Sequence, residues 1–166
     1  PNRGAPSGKQ SGPTLEIQRF IGRWRRSVID MKALGEVQIR IDCDVLQADG
    51  GTRTAAITGG YVALVRAIRH LQTIGVAKSD PVIGQVAAIS CGIFDGETVL
   101  DLDYAEDSNA DADANFVLTS DGQIVEVQGT AEGAPFSRAD YNSLMDLAEK
   151  GVARLCAMQS AAIGQA

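Results

Sequence analysis

VAAISCGIFDGETVLDLDY (86–104) contains two β-rich runs, Val86 to Phe94 and Thr98 to Tyr104, on either side of Asp95-Gly96. Asp-Gly between such runs favours the two-residue turn whose twist matches a hairpin. The pattern returns in FVLTSDGQIVEVQ (116–128), where Phe116 to Thr119 and Gln123 to Gln128 flank Asp121-Gly122. Two hairpins in succession predict a mostly antiparallel sheet.

Helical patterns lie on both sides of this pair. Upstream, about Ala55 to Leu71 puts Ile57, Tyr61, Leu64, Ile68 and Leu71 on one face. Downstream, Ser137 and Asp140 form an S-x-x-D capping pattern. Tyr141, Leu144, Met145, Ala148, Val152 and Leu155 make a buried stripe behind it. Further upstream, Val37, Ile39, Ile41, Cys43 and Val45 alternate with polar residues, predicting a strand with one packed side. From Thr14, Ile17, Phe20, Ile21, Trp24 and Val28 fall on a helical stripe, with Arg19, Arg23 and Arg26 on another. PNRGAPSGKQSGP (1–13) reads as a flexible basic loop or arm. The order α-β-α-ββ-ββ-α predicts an α+β fold, helices packed on a mostly antiparallel mixed sheet, in one domain over 14–166.

At 166 residues the chain is long enough for a hydrophobic core. No apolar run approaches a membrane span and no leader pattern opens the chain. Cys43, Cys91 and Cys156 are far apart and odd in number, which argues against a disulfide framework and predicts small buried side chains in a cytoplasmic protein. The net charge of −6 argues against a nucleic-acid partner until its distribution is considered. Arg3, Lys9, Arg19, Arg23, Arg25, Arg26, Lys32 and Arg40 crowd the first forty residues, whereas 101–113 carries Asp101, Asp103, Glu106, Asp107, Asp111 and Asp113 and no basic residue. Such a chain can grip a polyanion with one part and hold a divalent cation with the other.

Asp49-Gly50-Gly51-Thr52-Arg53-Thr54 precedes a helix. Its glycines allow a tight turn, the helix start offers unpaired N–H groups, and Thr52 and Arg53 add a hydroxyl and a forked cation. All suit a small oxyanion, although an ordinary strand-to-helix turn would read the same. The acidic stretch admits two readings as well, a solvated loop or carboxylates that share a metal or a proton. The arginine stripe suits an RNA backbone, a subunit contact or a plain exposed face. His70 is the only histidine, so a Ser-His-Asp triad is excluded, and neither a zinc set nor a GxxxxGK[ST] loop is present. One Trp, three Tyr and four Phe are too few for a base-stacking platform.

LEIQRFIGR (15–23), IDCDVLQADGGTRTAAITG (41–59), LDLDYAEDSNADAD (100–113) and VEVQGTAEGAPF (125–136), in this order, closely resemble the ribonuclease PH family. The resemblance runs from Arg3 to the C-terminus. It implies a fold like the second domain of ribosomal protein S5, phosphate-dependent trimming of tRNA 3′ ends with release of nucleoside diphosphates, Mg²⁺, and a homo-oligomeric ring of dimers, typically a hexamer. It further implies that Thr52 and Arg53 bind inorganic phosphate with the Gly51 backbone nearby, and that Asp107 and Asp113 are the catalytic and metal-binding carboxylates. Arg19 would lie near the RNA end and Arg3 in a basic loop for tRNA or ring assembly. With Arg23 of the same stripe, these are the expected RNA contacts. Two departures stand out. The family chain normally has a strand-rich segment ahead of the position of Pro1. Where the family has SGRT, this chain has Ser11-Gly12-Pro13-Thr14, which removes a phosphate-binding arginine and about 1.5–3 kcal/mol of charge-assisted contact. They raise the alternative of a catalytically weakened or inactive RNA-binding, ring-forming relative.

Overall fold

A computed structural model of the chain describes residues 24–164. Its elements are α1 (Met31–Leu34), α2 (Thr52–Thr73), β1 (Val86–Phe94), β2 (Glu97–Leu100), α3 (Tyr104–Asn109), β3 (Ala112–Thr119), β4 (Ile124–Ala131) and α4 (Arg138–Gly164). The strands form one sheet in the order β2-β1-β3-β4, each neighbouring pair antiparallel.

Both hairpins form around their Asp-Gly turns. Phe94 pairs with Glu97, and the intervening Asp95 and Gly96 have φ of 51° and 76°. Positive φ at both positions is the left-handed geometry that suits a twisted hairpin. The second turn is longer, with Gly122 at φ 81° and a register shift between Val117 and Leu118.

Strand parity separates the core into two layers. Val86, Ala88 and Val117 pack with Ile57, Tyr61, Leu64, Val65 and Ile68 of α2, joined by Trp24 and Val28. Ala87, Ile89, Cys91, Ala114, Phe116 and Leu118 pack with Leu144, Ala148, Val152 and Cys156 of α4. Successive side chains of a strand point to opposite faces, so each long helix takes its own set of strand side chains, and the two helices also meet directly, Gln159 Nε2 donating to the Thr58 carbonyl at 2.9 Å. At the start of α4, Ser137 and Asp140 bond each other reciprocally: Ser137 N donates to Asp140 Oδ2 at 2.9 Å and Asp140 N to Ser137 Oγ at 3.1 Å.

Several expectations are corrected. Residues 37–45 make no ladder, because no strand pairs with them among the described residues. The alternation is real over its first half, with Val37, Ile39 and Ile41 packing on the α2 core. Cys43 is exposed rather than buried, and Val45 is exposed as well. The first hairpin's second strand ends at Leu100 instead of reaching Tyr104, because Asp101 takes φ 61° and Asp103 caps α3. Helix α2 begins at Thr52, three residues before Ala55, and Leu71 is only half-buried. The arm at 1–13, Pro13, the stripe up to Arg23, and therefore Arg3, Arg19 and Arg23 lie outside the described residues. No helix among the described residues is long and apolar enough to cross a membrane.

Candidate active site

The glycine turn is held by contacts to the acidic segment. Asp49 Oδ1 accepts from its neighbour Gly50 N at 2.9 Å and from Tyr104 N, the first residue of α3, at 2.7 Å. Gly50 presses so closely on the chain before α3 that a β-carbon would sit 2.0 Å from the Leu102 carbonyl oxygen, so only glycine fits. Gly51 takes the left-handed conformation, φ 68° and ψ 22°, and caps α2 without a side-chain hydrogen bond. The first N–H groups of a helix have no internal partner, and they carry the positive end of its dipole. Here no capping side chain takes their place.

The acidic segment is short and well capped. Asp103 Oδ1 accepts from Glu106 N at 2.8 Å, and Asp103 N donates to Glu106 Oε2 at 3.1 Å. Those two carboxylates are occupied in structure, and Asp101 turns the chain. Of the other three, Asp111 does not line the cleft, whereas Asp107 on α3 and Asp113 at the start of β3 line it together with the turn. Asp113 pairs with Gly92, whose missing side chain makes room for Leu102: a β-carbon there would sit 2.7 Å from Leu102 Cδ1.

A cleft of about 440 Å³ brings the two motifs together. Its walls include Gly51, Thr52, Arg53, Asp107 and Asp113. Burial raises the Asp113 carboxyl above its ordinary value, and the nearby Asp107 and Glu132 carboxylates raise it further, against the opposing pull of Arg53. The same electrostatic neighbourhood therefore contains the turn's cation and both expected carboxylates. A second hollow of about 630 Å³ lies on the other side of the turn, with Cys43 and Leu46 on its rim and no basic lining residue, so it does not suit an anion.

Asp49 of the glycine motif also lines the cleft, as do Ser90, Asn115 and Glu132, to which the sequence assigned no role. Asn115 shares the Asp113 face of β3, two residues on, and was detectable from strand period. Glu132 lies within the VEVQGTAEGAPF string. Ser90 is a single polar residue in an apolar strand, and nothing in the sequence marks it. Of the arginine stripe only Arg26 is described, and it lines a hollow shared with Thr119, Ser120 and Asp121. That is the far end of β3 from Asp113, about 20 Å away at strand rise.

As to metal, among the described residues no three His, Cys, Asp or Glu side chains converge on one point. Mg²⁺ commonly takes one or two carboxylates and fills its shell with water and phosphate oxygens. Asp107 and Asp113 are hard oxygen donors whose mutual repulsion a cation would relieve, so the pair fits Mg²⁺.

A glycine turn with Arg53 at a helix start, facing crowded carboxylates on a sheet packed with two long helices, suits a class of protein that brings phosphate groups together. Comparison with known proteins narrows it. Residues 1–69 match the 3′ exoribonuclease family, domain 1, and residues 84–151 the same family's domain 2. The chain is 64% identical to ribonuclease PH of Caulobacter vibrioides over 162 residues, 98% of this chain and 68% of that protein. Against ribonuclease PH of Rhodospirillum rubrum the identity is 59% with the same coverage. The chain belongs to the ribonuclease PH family of phosphorolytic 3′→5′ exoribonucleases. The fold is also that of rice (Oryza sativa) Rrp46, with TM-score 0.65 at 19% identity over 95% of this chain and 68% of that one. It matches the Archaeoglobus fulgidus exosome with RNA bound to the active site as well, at TM-score 0.63 and 16% identity, over 93% and 64%.

Proposed function

We propose that this phosphorolytic 3′→5′ exoribonuclease trims tRNA 3′ ends in the cytoplasm, working with Mg²⁺ in a homo-oligomeric ring of dimers, most simply a hexamer. The observation that carries the catalytic part is one cleft lined by Arg53 of the α2 turn and by Asp107 and Asp113. Family membership, and the likeness of the fold to that of an archaeal exosome core, support the rest.

The chemistry follows from the residues. The Gly51 and Thr52 N–H groups and the Arg53 guanidinium hold inorganic phosphate at the helix terminus, joined by the Thr52 hydroxyl when it turns from the Asp49 carbonyl to which it donates at 3.2 Å. One phosphate oxygen attacks the phosphorus of the last phosphodiester, a P–O bond forms, and the bond to the 3′ oxygen of the preceding nucleotide breaks. A nucleoside diphosphate leaves, and the RNA is one nucleotide shorter. Burial and the neighbouring Asp107 and Glu132 carboxylates raise the Asp113 carboxyl, which makes Asp113 the group suited to protonate the departing 3′ oxygen. Mg²⁺ held by the same carboxylates would offset phosphate charge. No protein nucleophile is needed, because positioning and charge neutralisation supply the catalysis. Arg3, Arg19 and Arg23 are assigned to the RNA backbone.

Replacing Arg53 tests the reading. Arg53→Ala should raise the phosphate KM by tenfold or more, about 1.5–3 kcal/mol of binding, with little change in RNA affinity. The assay is trimming of a tRNA with extra 3′ nucleotides, with phosphate varied. Trimming that ignores phosphate, or an unchanged KM in the variant, would overturn it.

A further inference from the structure

Ser90 lies on the α2-facing side of β1, two residues beyond Ala88 in strand period. It is 4% exposed, its hydroxyl has no hydrogen-bond partner, and it lines the cleft. Its backbone is engaged: the carbonyl accepts from Asp101 N at 2.7 Å, and Ser90 pairs with Asn115 across the sheet. Only the hydroxyl is left over. Positions 86 and 88 on this face are apolar and pack against α2. The face becomes polar where it passes beneath the glycine turn.

Gly51 places no side chain on this hydroxyl, whose oxygen is nonetheless closed off from solvent beneath the turn. A β-carbon on Gly51 would sit 3.2 Å from Ser90 Oγ and 3.0 Å from Thr54 Oγ1. The Thr54 hydroxyl is already committed, donating to the Gly51 carbonyl at 2.7 Å. The Ser90 hydroxyl is not, and its hydrogen is free to rotate towards an acceptor. Buried polar groups in folded proteins are nearly always paired, so an orphan at the floor of a ligand cleft points to a partner that arrives with the ligand.

We propose that Ser90 is a further binding residue for inorganic phosphate, its O–H donating to an oxygen of the phosphate held at the Gly51–Arg53 turn. This role rests on the phosphate site proposed above. It complements Arg53, which supplies charge from the mouth of the cleft, with a neutral donor from the sheet below. The competing explanation is that serine is there only because it is small. In that case removing the hydroxyl is silent, or slightly stabilising, because a desolvated group without a partner disappears.

The two accounts separate in the full-length protein in its native assembly. Thermal unfolding is followed with and without inorganic phosphate, and phosphorolysis is measured with RNA saturating and phosphate varied. Ser90→Ala should unfold at the same or a higher temperature without phosphate and gain less from its addition. It should raise the phosphate KM about tenfold and leave the RNA KM unchanged. Ser90→Cys, which offers a weak S–H donor at similar volume, should fall between the two. A phosphate KM within about twofold of the parent overturns the role. So does a lowered unfolding temperature in both variants with both KM values raised, which marks a packing residue. Arg53→Ala is the control. If it abolishes the phosphate response and Ser90→Ala does not, only the Ser90 role is wrong. If Arg53→Ala keeps the full response, the phosphate site is misplaced and Ser90 falls with it.

Discussion

Asp113 is a carboxylate whose surroundings work against its charge. Partial burial and the Asp107 and Glu132 carboxylates all favour its protonated form, opposed by Arg53 and, less strongly, by a backbone hydrogen bond to the carboxylate. Its folded value therefore lies above its unfolded one. Between the two values the folded state binds more protons than the unfolded state, so stability falls as pH rises through that window and stays reduced above it. Asp113→Asn removes the charge and hence the penalty. In buffer free of phosphate and divalent cations, the variant should melt higher than the parent at neutral pH, and the gain should vanish at a pH where the parent carboxyl is protonated in both states. The same variant should lose about a hundredfold or more in kcat, the usual range for a lost acid–base group. A scan of melting temperature against pH, beside one rate measurement, checks both halves. A variant that melts lower at every pH would show that Asp113 is a structural ligand of its neighbours instead.

At the scale of elements, the site depends on Asp49 tying the start of α2 to the start of α3. Its Oδ1 accepts two backbone N–H groups, one from each side of the junction. Both bonds are exposed to solvent, so Asp49→Ala should cost only about 1 kcal/mol in urea unfolding. Its cost in kcat should be far larger, about ten- to a hundredfold, because the phosphate turn and the acid helix lose their common register. Asp49→Asn keeps an acceptor oxygen and should recover most of the rate. Proportionate losses of rate and stability would argue that the contact is only a brace. This link also shows what the sequence could and could not reveal. The Asp95-Gly96 hairpin, the Ser137 cap and the α2 stripe are local patterns, with all their determinants within a few residues. The expected strand at 37–45 failed because a strand also needs a partner, and alternation at Ile39 and Ile41 records a packed face, not a ladder. Thr98 to Tyr104 failed because a capping box at Asp103 and Glu106 overrides β propensity at Leu102. The cleft itself was half legible. Thr52, Arg53, Asp107 and Asp113 stand in motifs, whereas Ser90 enters through the pairing of distant strands, which no local pattern encodes.

For the whole molecule, an acidic chain has to bind an acidic substrate. At net −6 the general field repels RNA, so affinity has to come from a local basic region, and the first forty residues are where the sequence concentrates one. Among the described residues of that region, Arg26 lies at the end of β3 away from the cleft. If Arg3, Arg19 and Arg23 hold the RNA backbone, their contribution is counterion release, and each phosphate they neutralise adds about −0.7 to the slope of log affinity against log salt for a single strand. Three such contacts predict a slope of about −2 for a single-stranded 3′ tail, and Arg23→Ala should flatten it to about −1.4. Arg26→Ala should leave it unchanged. Fluorescence anisotropy of a labelled RNA between 50 and 200 mM KCl, a range in which screening changes strongly, measures both slopes. The pair of variants makes the test sharp, because the two arginines are three residues apart in sequence and carry the same charge. Equal flattening would mean that RNA senses only the net charge of the region. Flattening by Arg23→Ala alone would mean that one face of the arginine stripe follows the strand into the cleft.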